Sequence, residues 1–251
     1  VALLPRRSLL QRPDARGKLK PVAANVDQII VVVAIPPAET IARGATLIDT
    51  YVLDRYLVAA AAAEIDTYVV ANKADLLHED TRAQAEAIIA EYARLCSGAV
   101  LVSNKTGEGM PDLTQHLTGH TSAFVGPSGV GKSSLIDHFL PDRQLRIGAV
   151  AASTGLGRHT TTSAALYHFP AGGHLIDSPG VREFGLWNMT PQQVAAAFCE
   201  FALHTRQCRF ADCRHVEEPA CAVRDAVARG EISARRYDNY TRILRSMDQL
   251  R

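Results

Sequence analysis

Apolar positions along this chain follow two alternating rhythms. Mainly apolar runs recur at Asp27–Ala34, where they are rich in β-branched residues, and at Asp66–Ala71, Ala99–Val102 and Ser122–Val125. Such runs fit strands covered on both faces, as in a parallel sheet. Between them, apolar residues return every three or four positions. Ala45–Ile65 carries Leu, Ala and Tyr at that spacing, and Glu79–Leu95 places Ile88, Ile89, Tyr92 and Leu95 on one face. Met110–Leu117 and the segment from Ser134 to Leu140 continue the helical rhythm. Strands alternating with helices predict an α/β fold with its ligand sites at the carboxyl ends of the strands. Further on, Ala164–Phe169 and Gly173–Ile176 read as a pair of strands. From Pro191 the pattern is helical, closing with a helix over Ala234–Leu250. Two stretches lack a period. Arg146–Thr162 reads as a mobile loop. Residues 1–22 are basic and punctuated by Pro13 and Pro21, and read as the exit of a preceding domain plus a linker.

With 251 residues, 47% apolar and 21% charged, the chain has ample core for one large domain or two smaller ones. No apolar run approaches the ~18 residues of a membrane span, and Arg6, Arg7 and Arg12 interrupt any secretory signal. The chain begins at Val1 rather than Met, so residues are expected upstream of it. The net charge is +1, but it is unevenly spread. Residues 1–22 carry six basic side chains against one acid, and residues 201–251 ten arginines against seven acids, while the middle has eleven bases against eighteen acids. Basic ends around an acidic centre suit RNA-facing flanks.

The chemistry centres on Gly126-Pro127-Ser128-Gly129-Val130-Gly131-Lys132-Ser133, followed by Ser134. It lies between a strand and a helix, the context that makes a GxxxxGK[ST] pattern a phosphate-binding loop. The glycines let backbone N–H groups turn inward toward an anion. Lys132 is placed to reach the β- and γ-phosphates, and the Ser133 hydroxyl to ligate Mg²⁺.

Asn72-Lys73-Ala74-Asp75 follows another strand. A carboxylate at Asp75 can accept from N1–H and the exocyclic amine of guanine, whereas adenine would leave it unpaired. The Lys73 stem can cover the base, and Asn72 can tie the loops together. Ser103-Asn104-Lys105, after the next strand, would support base recognition. Asp177-x-x-Gly180 supplies a carboxylate for Mg²⁺, held through water, and an N–H for the γ-phosphate. Among Thr160, Thr161 and Thr162, Thr161 is favoured to close on Mg²⁺, with Thr160 next. Val181 stands where many GTPases carry a water-orienting Gln, so intrinsic hydrolysis is expected to be slow and partner-dependent. His159 is a candidate for a group that such a partner brings into place.

Cys208-x₄-Cys213-x-His215-x₅-Cys221 offers three thiolates and an imidazole, a set suited to tetrahedral, structural Zn²⁺. Five cysteines with three in this cluster argue for a metal site in a reducing compartment, read as cytoplasmic, rather than a disulfide framework. Cys96 and Cys199 are isolated and read as core thiols.

The order of these elements is rotated: base loop, second base loop, phosphate loop, threonine switch, Asp-x-x-Gly switch. In that order, with Gly157-Arg158-His159-Thr160-Thr161-Thr162, Asp177-Ser178-Pro179-Gly180-Val181-Arg182-Glu183-Phe184-Gly185 and the metal cluster, the chain resembles the RsgA (YjeQ) family of circularly permuted, small-subunit-dependent GTPases. The resemblance implies a permuted P-loop GTPase domain over residues 23–190 and a small helical zinc-binding domain over 191–251. It also implies an N-terminal, RNA-binding OB-fold, of which residues 1–22 would keep the last strand. It further implies GTP/GDP and Mg²⁺ as ligands, hydrolysis in late maturation of the small ribosomal subunit, and that subunit and its rRNA as partners. No membrane partner is expected, and the chain is read as a monomer. A metabolite kinase would leave Asn72–Asp75 unexplained. A zinc-containing RNA-binding module would show no turnover, and a permuted GTPase of the large subunit would sediment with the other particle.

Overall fold

The structure, a computed structural model, describes residues 5–13, 19–140, 165–177 and 189–248. Its packing forms two compact units, Val1–Asp49 with Ile65–Glu183, and Thr50–Glu64 with Phe184–Arg251.

In the first unit the sheet grows around β3 (Gln28–Ala34), whose Ile29, Ile30, Val31 and Val32 are fully buried. Both edges of β3 are taken. It pairs parallel with β4 (Asp66–Asn72) on one side and with β6 (Thr121–Val125) on the other. Beyond β4 lies β5 (Ala99–Leu101), and beyond β6 lies β8 (His174–Asp177), both parallel. At the far edge β7 (Ala165–His168) runs antiparallel to β8, giving the order β5-β4-β3-β6-β8-β7. The chain lays β3, β4 and β5 outward in one direction, then crosses back to place β6 on the other side of β3. Crevices at the carboxyl ends of strands flanking such a reversal are where open α/β sheets bind ligands.

Among the described residues, this unit has four helices: α1 (Ala38–Ala42), α3 (Glu79–Ala93), α4 (Met110–Leu117) and α5 (Lys132–Phe139). Leu113 and Leu117 of α4 and Leu135, Ile136 and Phe139 of α5 join Ile30, Val32, Phe124 and Leu175 in one core. Each such side chain contributes about 1.5–3 kcal/mol of burial, which anchors the start of α5 beneath its glycine-rich loop.

The N-terminal segment departs from expectation. In place of a linker with a single surviving strand, β1 (Leu9–Pro13) and β2 (Leu19–Ala24) form an antiparallel ribbon with a register shift at Leu10/Gln11. Pro13 and Pro21 do not prevent it, because a two-stranded ribbon leaves each strand one side where a missing N–H costs no ladder bond.

The second unit holds α2 (Thr50–Ala62), α6 (Pro191–Ala197), α7 (Ala202–Thr205), α8 (Ala222–Ala228) and α9 (Ala234–Asp248). Helix α2 comes from the middle of the chain, between β3 and β4, yet it packs here. The reason is polar as well as apolar. Val58 joins the core of Val194, Phe198, Phe201, Tyr240, Ile243 and Leu244. The fully buried Asp54 requires a cation, which Arg236 of α9 supplies. Asn239 donates to the other Asp54 oxygen at 2.7 Å, and Arg236 also forks onto Glu200 at 2.8 and 3.0 Å. Thr190 caps α6, accepting from Gln193 N at 3.2 Å while Gln193 Oε1 accepts from Thr190 N at 2.8 Å. Among the described residues, no helix is long and apolar enough to cross a membrane.

Candidate functional site

Strand β6 delivers its carboxyl end into Gly126–Gly131, and α5 begins at Lys132. Two of these glycines are required by close approach. A Cβ on Gly126 (φ 141°) would lie 2.1 Å from the Val32 carbonyl of β3, and one on Gly131 (φ 96°) 2.3 Å from Asn72 Nδ2. Lys132 Nζ donates to the carbonyls of Gly126 at 2.7 Å and Pro127 at 2.6 Å, so the ammonium lies over the loop that precedes it. The first turn of α5 adds N–H groups that a helix cannot pair internally, a favourable setting for an anion. Ser133 and Ser134 stand in that turn, exposed.

The base motif meets this loop directly. Asn72, the last residue of β4, donates from Nδ2 to the Val130 carbonyl at 2.9 Å and accepts at Oδ1 from Lys73 N at 2.8 Å. Lys73 takes the left-handed conformation (φ 66°), and its Nζ donates to the Gly129 carbonyl at 2.9 Å. Ala74 is buried, with its N–H on the Val102 carbonyl. Asp75 sits in the short 3₁₀ turn Ala74–Leu76. Its Oδ1 accepts from Ser103 Oγ at 2.7 Å, and its Oδ2 lies 3.8 Å from Lys105 Nζ.

Ser103 is fully buried and accepts from the N–H groups of Lys105 and Thr106, both at 3.2 Å. Asn104 Oδ1 is buried with no hydrogen-bond partner among the described residues. The two base loops and the phosphate loop are therefore one connected network. Asp177, at the end of β8 and buried, pairs in register with Phe124 of β6, beside the strand that enters the phosphate loop. His159, Thr160, Thr161 and Gly180, with Thr162 and Val181, lie outside the described residues.

In the second unit, the ligand atoms of Cys208, Cys213, His215 and Cys221 all lie within 4.8 Å of one another. His215 Nδ1 is 3.6 Å from Cys208 Sγ and 3.4 Å from Cys221 Sγ. The loop reaches this shape through left-handed backbone at His215 (φ 60°) and Ala220 (φ 55°). Burial pushes the Cys213 thiol up to about 12 and raises that of Cys221, and it lowers His215. Three sulfurs and a neutral imidazole converging in one cluster, buried except at the partly exposed Cys208, fit one tetrahedral Zn²⁺, which would bind the sulfurs as thiolates.

The surroundings fix this cluster, and their roles could not be read from spacing alone. Tyr237 donates to the His215 carbonyl at 2.8 Å, and Tyr240 to that of Arg214. Burial would raise the Glu218 carboxyl, but donation from the backbone N–H groups of Arg214, Val216 and Glu217 outweighs it and holds the group at about 2. Cys96 is half-buried; Cys199, expected in the core, is exposed at the start of the 3₁₀ turn Cys199–Phe201.

The family described as RsgA GTPase matches residues 3–187. The chain is 52% identical over 244 residues to the small ribosomal subunit biogenesis GTPase RsgA of Chromohalobacter salexigens, covering 97% of this chain and 69% of that protein. With the same-named protein of Sodalis glossinidius it shares 47% over 251 residues, 99% of this chain and 70% of the other. Among solved structures, YjeQ from Thermotoga maritima superposes with a TM-score of 0.75 at 35% identity, over 98% of this chain and 77% of that one. YloQ, a circularly permuted GTPase, also gives 0.75, at 26% identity over 100% of this chain and 75% of that one.

Proposed function

The chain belongs to the RsgA GTPase family, and on that premise we propose that it binds GTP across its base and phosphate loops, hydrolyses it to GDP and phosphate, and acts in maturation of the small ribosomal subunit. The observation that carries this reading is the pair of bonds from Asn72 to Val130 and from Lys73 to Gly129. They tie the loop that carries Asp75, to which we assign guanine, to the glycine-rich loop, to which we assign the phosphates.

Each residue then has a task. Gly126, Ser128, Gly129, Val130 and Gly131 present backbone N–H groups to the phosphates, Pro127 shapes the turn between them, and Lys132 moves from the carbonyls of Gly126 and Pro127 onto the β- and γ-phosphate oxygens. Asn72, Lys73 and Ala74 frame the base, Asp75 accepts from it, and Ser103, Asn104 and Lys105 close its other side. Mg²⁺, when bound, offsets negative charge on the phosphates; Ser133 and Thr161 would hold it, with Asp177 nearby. Ser134 extends the phosphate contact from the first turn of α5. Gly180 meets the γ-phosphate through its N–H, and Thr160 is the alternative to Thr161. With Val181 unable to orient water, His159 becomes the group that a partner would bring to the reaction. The Cys₃His cluster would hold one structural Zn²⁺.

In this reading residues 23–190 form the permuted GTPase domain and 191–251 the zinc domain, with α2 assigned to the latter by its packing. Residues 1–22, which hold β1 and the start of β2, belong to the end of an OB-fold and its linker. The partner is the small ribosomal subunit, contacted through its rRNA by the basic ends of the chain, and the protein works as a monomer in the cytoplasm. Steady-state GTP hydrolysis with and without purified small subunits tests the proposal. Turnover rises when subunits are added; unchanged turnover would remove the partner-activated mechanism.

A further inference from the structure

The two base loops are joined a second time, through side chains that need not touch a nucleotide. Arg82, near the start of α3, forks onto Glu108, Nη1 to Oε1 at 2.7 Å and Nη2 to Oε2 at 3.2 Å. Glu108 is the residue on which the second base loop closes. Its carbonyl accepts from Ser103 N at 2.9 Å, and Gly107 N returns to the Ser103 carbonyl at 2.8 Å. The next residue, Gly109, has φ 68°, and a Cβ there would stand 2.0 Å from the Leu101 carbonyl, so the end of the loop is fixed too. From this ring Ser103 Oγ donates to Asp75 Oδ1. Arg82 belongs to the helix that follows Asp75. The Arg82–Glu108 fork and the Ser103–Asp75 bond therefore span the same two stretches of chain.

Both partners of the fork are about a third exposed (37% each), and Glu86 stands 3.8 Å from Arg82 Nη1 as a weaker competitor. An exposed ion pair adds little to folding stability. A bidentate guanidinium–carboxylate pair does, however, fix relative orientation.

We propose that Arg82 and Glu108 are positioning residues for guanine recognition: a clamp that holds the Ser103–Lys105 loop against Asp75 and so sets how selectively and how long guanine is retained. This rests on the guanine reading above. The clamp acts on the aim of the Asp75 carboxylate, which must meet N1–H and the 2-amino group together. Inosine keeps N1–H and lacks the amine, so the GDP-over-IDP preference reports that aim. A merely weakened fold would lower both affinities alike.

The test uses the full chain as wild type, Arg82→Ala, Glu108→Ala and the double variant, measuring release of a fluorescent GDP and equilibrium binding of GDP, IDP and ADP. Wild type binding GDP no better than ADP would overturn the guanine reading itself, and the clamp with it. Given a wild type that prefers GDP, each single variant releases GDP about 5- to 10-fold faster and loses a similar factor of GDP-over-IDP preference. The double variant is no worse than the more affected single, because residues in one contact couple. Unchanged release and preference in the singles, or effects that add in the double, would overturn the clamp alone.

Discussion

Asn72, the last residue of β4, donates through its side chain to the Val130 carbonyl at 2.9 Å, so the base loop grips the phosphate loop 58 residues later in the chain. Gly131 makes the grip possible, since any Cβ there would collide with the same carboxamide nitrogen.

Asn72→Ala therefore removes the tie between the two halves of the proposed nucleotide site. Asn72 is buried, and its loss leaves the Val130 carbonyl without this donor, at a cost of about 1–3 kcal/mol. GDP affinity measured by titration should fall roughly 5- to 100-fold, with a smaller loss of thermal stability.

The second unit depends on the Asp54–Arg236 contact in the same sense. Both side chains are essentially inaccessible, and Arg236 also stacks 4.3 Å from the Phe198 ring centroid. Asp54→Ala takes from a buried guanidinium the fully buried carboxylate that it faces, and should cost about 3–5 kcal/mol. Replacing both partners by apolar residues, Asp54→Leu with Arg236→Met, should cost less than Asp54→Ala alone in denaturant unfolding. The opposite ranking would mean that the pair is worth more than the desolvation it endures.

Metal binding should depend on pH with a definite sign. In the absence of the ion, burial holds Cys213 protonated up to about 12 and raises Cys221 as well. Zn²⁺ must expel those protons, so its affinity rises with pH and falls in acid, where His215 also takes up a proton. Competition against a chelator at pH 6 and pH 8 measures this: zinc is lost more readily at pH 6. Cys221→Ser should weaken zinc retention at both.

Much of the proposed nucleotide site could be proposed from sequence because its parts are short and local. Lys132 follows its strand and glycine turn within a few residues, and Asn72–Asp75 sits at a strand end, so sequence neighbours alone announce the chemistry. The Cys₃His spacing was legible for the same reason. The allegiance of α2 was not. Its periodicity predicts a helix, and a helix forms, but nothing near Asp54 in the chain tells that its counter-ion is Arg236, 182 residues away. The Arg82–Glu108 fork was equally invisible, since an exposed Arg and Glu 26 residues apart look like any solvated pair. At the N-terminus, basic residues and prolines suggested a linker, whereas Leu9–Pro13 and Leu19–Ala24 pair through backbone bonds that composition does not record.

In the proposed site, guanine selectivity rests on the Asp75 carboxylate. The most direct test is Asp75→Asn, assayed with guanosine and xanthosine diphosphates side by side. An amide at 75 offers an N–H where guanine also offers one, and that donor instead suits the 2-carbonyl of xanthine. GDP affinity should drop at least about 100-fold while xanthosine diphosphate binding appears. A variant that still holds GDP as tightly as wild type, with no gain for the xanthosine nucleotide, would contradict the assignment of this site.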